Sequence, residues 1–426
     1  MHRLLVWLPC CLALLLSGCG APAVGGELAK SSQARDTAPS VGGADSGALA
    51  AGNTEFALDL YQQLRTEDDN LFFSPYSISV AIAMTYAGAR GQTERQVADA
   101  LRYTLPQDTL HPAFNALDLE LASRGEGARG RRGEPFRLHI TNALWGQTGY
   151  SFLPEFLDLL AENYGAGMRL LDFSTRPEPS RTEINGWVAD QTEQRIKDLI
   201  PSGVITTATR LVLTNAIYFD AAWESTFKKK ATHPGEFRLL DGDEVRADMM
   251  HQSHRFPYAA GEGYQAIELP YDGGELSMVV LLPAEGRFAE FEESLDAEEL
   301  AAILGDLAPT QVRLTMPRFK YESAFRLKDA LSAMGMADAF VRGVADLSGM
   351  DGTRSLFIQQ VVHKALVRVD EEGTEAAAAT AVAIALAAAP SQEVVEVVID
   401  RPFIYLIRDL ETGTILFLGR VLDPTA

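Results

Sequence analysis

The segment from Glu371 to Pro390, which reads EEGTEAAAATAVAIALAAAP, constrains the fold more than any other part of the chain. Alanine is the best helix former, so propensity alone predicts a helix, and a buried alanine-rich helix stays open as an alternative. The alanine-rich part is too short to span a bilayer. It also lacks a repeat of three to four residues and contains the β-branched Thr380, Val382 and Ile384, which favour a strand.

A period of two gives this segment a different meaning. In an extended strand, one face would carry Thr374, Ala376, Ala378 and Thr380, and the other Glu375, Ala377 and Ala379. The first face is small and uncharged, so such a strand could enter between two strands of a packed sheet without burying a charge. Gly373 supplies the backbone freedom that a hinge requires.

Charge and cysteine content exclude several classes of protein. The 426 residues include 37 basic and 58 acidic side chains, a net charge of −21, which argues against a nucleic-acid partner. The three cysteines, Cys10, Cys11 and Cys19, all lie in the first nineteen residues. We therefore expect neither a disulfide nor a cysteine-rich metal site in the folded part.

The N-terminus resembles a bacterial lipoprotein signal. The apolar run from Leu4 to Leu16 is too short to cross a membrane and ends in Leu16-Ser17-Gly18-Cys19, which is similar to a lipobox. By this resemblance residues 1–18 are a signal peptide, and the chain is cut before Cys19, which is then acylated. The expected location is the bacterial cell envelope, extracytoplasmic, with the anchor in the outer membrane or at the cell surface. An ordinary secretory signal is the alternative.

The rest of the chain predicts a flexible linker followed by one mixed domain. Residues 19–51 comprise the lipidated cysteine and a stretch rich in Gly, Ala, Ser and Pro, which is typical of a linker. Residues 52–426 alternate helical and strand patterns and predict an α+β domain, with a first helix around Phe56, Leu60 and Leu64 and a later one over Ile184–Ile200. The predicted strands are Leu138–Trp145, Arg210–Phe219, Leu276–Leu282, Val312–Met316, Val361–Val369 and Ile415–Val421.

Tests for catalytic motifs give no positive result. Gly125–Gly130 formally matches a dinucleotide fingerprint, but no apolar strand precedes it, so it is rejected. His251 and His254 lack the glutamate and third ligand that zinc catalysis needs. There is no Gly-x-Ser-x-Gly elbow and no phosphate-binding loop. Composition leaves a Ser-His-Asp triad open, but no motif supports an enzyme. We therefore expect a protein that is not an enzyme and that has no cofactor or metal.

Several motifs resemble those of the serpins, and they occur in the family's order. Glu371–Thr380 is similar to the hinge of inhibitory serpins. The other similar motifs are Asn70–Ile78, Asn185–Val188, Leu213–Phe219 with Trp223, Met316–Lys320, His363–Ala365, Arg401–Phe403 and Leu416–Val421. The resemblance implies about nine helices around three β-sheets, with an exposed reactive-centre loop.

The resemblance also implies a mechanism and residue roles. A protease attacks the loop and forms an acyl-enzyme, and the cleaved loop inserts into the central sheet and traps the protease. The hinge would comprise Glu371, Gly373, Thr374, Glu375, Ala376, Ala378 and Thr380. Polar groups of the shutter, between the parting strands, would be Ser74, Ser77, Asn215 and His363, and Trp223 would mark the breach at the top of the sheet.

The reactive bond is expected at Ala387-Ala388, with Leu386 and Ala389 as neighbouring candidates. These residues are small or apolar, which predicts an elastase-like or subtilisin-like target and no useful inhibition of trypsin-like enzymes. The expected partner is a serine or cysteine protease in a covalent complex with a monomer, and the only membrane contact is the lipid. The alternatives are a non-inhibitory serpin, a lipoprotein enzyme or binding protein with a protease-sensitive loop, and an adhesion lipoprotein.

Overall fold

The structure is a computed structural model that describes residues 27–125, 137–374 and 394–426. The α-helices are α1 (Gly43–Leu64), α2 (Pro75–Tyr86), α3 (Gly91–Ala100), α4 (Gln107–Ser123), α5 (Pro154–Tyr164), α6 (Pro177–Gln191), α7 (Phe288–Ser294), α8 (Ala297–Gly305), α9 (Lys328–Leu331) and α10 (Ser348–Asp351). Short turns of other helix types lie at Lys229–Ala231, Ser332–Met336 and Ala337–Phe340.

The strands of the described residues form two sheets. They are β1 (Glu27–Ala29), β2 (Leu71–Phe73), β3 (Arg137–Gln147), β4 (Met168–Leu171), β5 (Leu211–Ala222), β6 (His233–Arg238), β7 (Glu244–Gly261), β8 (Tyr264–Pro270), β9 (Leu276–Pro283), β10 (Ala308–Pro317), β11 (Phe319–Arg326), β12 (Ile358–Val369), β13 (Gly373–Thr374), β14 (Val395–Val398), β15 (Phe403–Asp409) and β16 (Ile415–Val421). Each of the six predicted strands is present, most of them longer than predicted, so these predictions are confirmed.

The smaller sheet, here sheet A, contains seven strands in the order β1-β4-β3-β5-β13-β12-β11. Strand β5 is antiparallel to β3 and parallel to β12, and the two-residue strand β13 lies between β5 and β12 at one end only. We call this end, where β5 finishes at Ala222, the upper end. The lower end is where β5 starts at Leu211.

The larger sheet contains nine strands, and its length depends on β7. This strand has 18 residues and pairs in turn with β6, β10 and β8, so it connects two groups of strands in one hydrogen-bonded sheet. The described residues therefore form two sheets where the resemblance implies three, because the long strand β7 joins two groups of strands into one.

Helix α2 lies against the centre of both sheets because its sequence has no polar face. All twelve of its residues are buried, and it contacts β3, β5 and β16. Ser74 caps its N-terminus by accepting a 3.2 Å hydrogen bond from the backbone N–H of Ser77, and Pro75 occupies the first helical position. The cap thus places two serines against the central strands β5 and β12 of sheet A.

One helix prediction is wrong in its extent. The helix predicted over Ile184–Ile200 ends at Gln191, and the residues that follow are not helical. Thr192 explains the end, because its hydroxyl donates to the carbonyl of Val188 and accepts from the N–H of Ile196. These side-chain bonds replace the helical ladder.

The prediction of a flexible linker over residues 19–51 is wrong for the part that the structure describes. Glu27–Ala29 form an edge strand on β4, and α1 already begins at Gly43. Arg35 bonds Asn115 at 2.8 Å and Asp118 at 2.7 Å, which holds the intervening segment on α4. The composition, rich in small residues, gave no sign of this attachment, because a strand can pair through its backbone without a recognisable pattern of side chains. The signal peptide, and the acylation of Cys19, lie outside the described residues and stay predictions.

Within the described ranges, none of the helices is long and apolar enough to cross a lipid bilayer.

Candidate functional site: a partly occupied gap in sheet A

The predicted hinge already enters sheet A. Gly373 pairs with Ala222 of β5, and Thr374 pairs with Ala221 on one side and Val369 of β12 on the other. Only 1% of the Thr374 surface is exposed. The sequence predicted Thr374 as the first side chain to enter the sheet on insertion, and in this structure it already lies inside.

The site accepts small residues and little else. A Cβ on Gly373 would lie 2.0 Å from the carbonyl oxygen of Ala221, so glycine is required by this close approach. The Thr374 hydroxyl and the Tyr271 hydroxyl share a 2.7 Å hydrogen bond. Burial raises the pKa of Tyr271, so its hydroxyl stays neutral, and its ring stacks on Trp223 with centroids 4.7 Å apart.

Trp223, the predicted breach residue, holds the turn that precedes the hinge. Its indole Nε1–H donates to the carbonyl of Asp370 at 2.9 Å, and its backbone N–H donates to the carbonyl of Glu372 at 2.9 Å. The N–H of Phe227 donates to the carbonyl of Glu371, also at 2.9 Å. The segment after β5 therefore fixes all three acidic residues of the turn through their backbone.

The carboxylates of that turn are buried and meet cations from three different parts of the chain. Lys229 lies 2.7 Å from Glu372, Arg318 lies 3.7 Å from Glu371, and Arg368 lies 3.1 Å from Asp370. Thr232 also donates to Glu371 at 2.7 Å. Burial raises the pKa of Asp370, and the charge of the paired Arg368 opposes that shift. The upper end of sheet A is therefore held by charge pairs.

Below the hinge, the four predicted shutter residues lie together. His363 of β12 is opposite Asn215 of β5 in the sheet register. The backbone N–H of Ser74 donates to His363 Nε2 at 3.2 Å, so the proton is on Nδ1, which donates to Asn215 Oδ1. The Asn215 amide in turn donates to Ser77 Oγ and to Asn142 Oδ1. Burial lowers the pKa of His363 to about 3, so the imidazole is neutral at physiological pH.

Sequence reasoning missed several residues of this region. Asn142 belongs to no motif, and only the register of β3 against β5 places it opposite Asn215. Tyr271, Lys229 and Thr232 lie far from the hinge in sequence and carried no signal. Arg318 was part of a family-like motif, but its sequence gave no indication of an acidic partner.

The remaining predicted site residues lie outside the described residues. They are Cys19, the hinge residues Glu375, Ala376, Ala378 and Thr380, and the reactive-bond candidates Leu386, Ala387, Ala388 and Ala389. Their roles stay predictions. In the part of the chain that the structure describes, no group of three or more His, Cys, Asp or Glu side chains is placed to hold a metal ion.

Comparisons with known proteins agree on one family. The model of the family described as "Serpin (serine protease inhibitor)" matches residues 51–424. A serpin-like protein of Thermococcus kodakarensis is 42% identical over 371 residues, which cover 87% of this chain and 84% of the relative. The leukocyte elastase inhibitor of Equus caballus is 41% identical over 389 residues, covering 88% of this chain and 99% of that protein.

Solved structures show the same architecture. The native state of tengpin, a thermophilic serpin, superposes with a TM-score of 0.82 at 27% identity, covering 92% of this chain and 97% of that one. Uncleaved ovalbumin gives a TM-score of 0.78 at 28% identity, covering 88% and 100%. These neighbours confirm the predicted α+β fold class.

Proposed function

Because the chain belongs to the serpin family, we propose that it is a protein inhibitor of serine proteases, not an enzyme, and that it acts as a suicide substrate. The observation that carries this proposal is β13. A two-residue strand already occupies the upper end of the gap between β5 and β12, and the sequence that follows it offers small side chains for the rest.

The chemistry proceeds through one bond of the reactive loop. The protease serine attacks the carbonyl carbon of Ala387, the bond to Ala388 breaks, and the new amine of Ala388 takes up a proton. The ester between Ala387 and the serine remains while residues 375–387 enter sheet A. Each inserted residue gains backbone hydrogen bonds worth roughly 1 kcal/mol net, so insertion over many residues outweighs distortion of the protease active site.

The target follows from the side chains around the reactive bond. Residues 386–389 are Leu-Ala-Ala-Ala, and no Lys or Arg lies between Glu371 and Arg401. A small apolar residue suits an elastase-like or subtilisin-like pocket, whereas a trypsin-like pocket requires a basic side chain, Lys or Arg. The relatives named leukocyte elastase inhibitor support this class.

We test the inhibitor with the chain from Gly20 onward, which keeps β1, against pancreatic-type elastase, subtilisin and trypsin. The expected result is a complex with elastase or subtilisin that survives denaturing electrophoresis. Mass spectrometry should show that the Ala387-Ala388 bond has been cleaved. The matched variant Ala387→Arg should transfer inhibition to trypsin. Loop cleavage without any complex would instead support a non-inhibitory serpin, and an uncut loop would refute both.

The proposal includes a location. We assign residues 1–18 to a lipoprotein signal peptide and an acyl anchor to Cys19, which places a monomer in the bacterial cell envelope, at the outer membrane or cell surface. The motif Leu16-Ser17-Gly18-Cys19 supports this assignment. Membrane fractionation and mass spectrometry of the N-terminal peptide test it, and Cys19→Ala should release the protein.

A further inference from the structure

The start of the described chain lies at the lower end of sheet A. Glu27 pairs with Leu170 of β4, Leu170 pairs with Gly146 of β3, and Gly146 pairs with Leu211, the first residue of β5. Glu27 and Leu211 are therefore at the same level of the sheet. Because β1 is antiparallel to β4, it runs from this level towards the upper end.

This position is fixed by several contacts beyond the strand pairing. A Cβ on Gly167 would lie 2.8 Å from the carbonyl oxygen of Ala29, so β1 is tightly packed at its end. Arg35 forms a 2.7 Å ion pair with Asp118 of α4, and the N–H of Asp36 donates to the carbonyl of Glu162 of α5 at 2.9 Å. The segment is thus attached to the sheet and to two helices.

Two lengths, that of the chain from Cys19 to Glu27 and that of strand β5, then decide which end of sheet A lies nearer to a lipid anchor on Cys19. Glu27 lies eight residue steps after Cys19, and eight steps span at most about 28 Å when fully extended. Gly373 pairs with Ala222, eleven residues along β5 from the level of Glu27, which corresponds to about 36 Å. The backbone of Cys19, where the lipid is attached, therefore cannot reach the level of the hinge.

We propose that the anchored protein has a fixed polarity, with the lower end of sheet A facing the lipid surface and the upper end, with the reactive loop, facing away from it. This inference rests on the acylation of Cys19 in the proposed function. A target protease would then be met from the aqueous side. Loop insertion, which runs down β5, would carry the trapped protease towards the lipid.

Two single-cysteine variants of the lipoprotein test the polarity. Thr207→Cys places a donor fluorophore on an exposed residue four positions before β5, at the lower end, and Lys228→Cys places it on an exposed residue beside the breach. The folded chain has no other cysteine besides the acylated Cys19. Both proteins are reconstituted in phosphatidylethanolamine–phosphatidylglycerol vesicles that carry an acceptor on the lipid headgroup.

The expected energy transfer is at least about twofold greater from the label at residue 207, because some 36 Å of β5 separates the two labels. Inserting twelve Gly and Ser residues between Cys19 and Glu27 raises the reach to about 70 Å and should remove most of this difference. Equal or reversed transfer from a protein whose acylation is verified by mass spectrometry overturns the polarity alone. An unacylated Cys19 overturns the anchor and the polarity together, and leaves the inhibitor proposal standing.

Discussion

The shutter and the upper end of sheet A lie along the same two strands but are held by different chemistry. At the shutter, neutral groups connect β5 to β12 directly, through the bond between His363 and Asn215. At the upper end, β13 separates the same strands, and buried carboxylates such as Glu372 are paired with cations such as Lys229.

The difference shows how a sheet can be closed at one level and open at another. Neutral hydrogen bonds can be exchanged between partners without leaving a charge in the core, so strands joined by them can separate and join again. Buried carboxylates need their cations wherever they lie, because an unpaired buried charge is costly. We therefore expect the charge pairs to hold the upper end of sheet A in place, and the strands joined by neutral hydrogen bonds at the shutter to be able to separate.

The largest effect should come from placing a charge in the entrance. Thr374→Arg would bury a guanidinium beside Tyr271 in a site where Thr374 is 1% exposed, so we expect the hinge to stay out of the sheet. Elastase or subtilisin should then cleave the loop without forming a denaturant-resistant complex. Thr374→Ser keeps the hydroxyl and serves as the control. A Thr374→Arg protein that traps protease as well as the wild type contradicts this account of the upper end.

The neutral shutter should respond to acid. Burial holds the pKa of His363 at about 3, whereas the unfolded chain binds this proton at about 6.5, so stability from the neutral ring is lost as pH falls through this range. Between pH 6.5 and 5 the loss is about 1.6 kcal/mol, because the slope rises from half of roughly 1.4 kcal/mol per unit at pH 6.5 to nearly the full value at pH 5. Urea unfolding should show this slope in the wild type and in the His254→Gln control. Burial also lowers the pKa of His111, to about 4, so His363→Gln should keep only the part of the slope that His111 contributes, and an unchanged slope would contradict the assignment to His363.

The smallest expected effect is a salt-dependent loss of stability when a charge pair at the upper end of sheet A is removed. Lys229→Met removes the cation beside Glu372. Since the Lys229 side chain is 58% exposed and Glu372 keeps a further interaction, we expect a loss of only about 1 kcal/mol at low salt. At 1 M NaCl, screening should reduce the difference between wild type and variant in the thermal midpoint. Lys230→Met, at the next exposed position, is the control. A difference that does not change with salt would mean that Lys229 acts through packing.

The fold was predictable where local pattern and tertiary position agree. Strand β16 has the predicted bounds, because its apolar run is buried on both faces. The segment from Glu27 to Asp36 was not predictable, since its Ala, Ser and scattered charged residues give no periodicity and its attachment depends on Arg35 meeting Asp118, far away in sequence. The composition of this segment shows that it lacks a local pattern, but a single long-range ion pair can still order it.

The site divides in the same way. Ser74, Asn215 and His363 were found together because each lies in a family-like motif. Asn142 and Tyr271 lie in no such motif, and only strand register and ring stacking bring their hydrogen-bonding groups to the site. The depth of the hinge was not predicted either. A period of two predicts that Thr374 belongs to a strand, but whether that strand is already paired depends on the space between β5 and β12.

The space between β5 and β12 gives the hinge a toehold, as in strand displacement in nucleic acids, where an invading strand first pairs with a stretch that has no partner. Strand β13 pairs at Ala221 and Ala222, while the direct register between β5 and β12 extends upward only to Ile217 and Ala365. In the described structure, the three residues of β5 between these levels lie outside that direct register. The first steps of an invading loop would therefore break no β5–β12 pair, and displacement of an existing strand contact would begin only at Ile217.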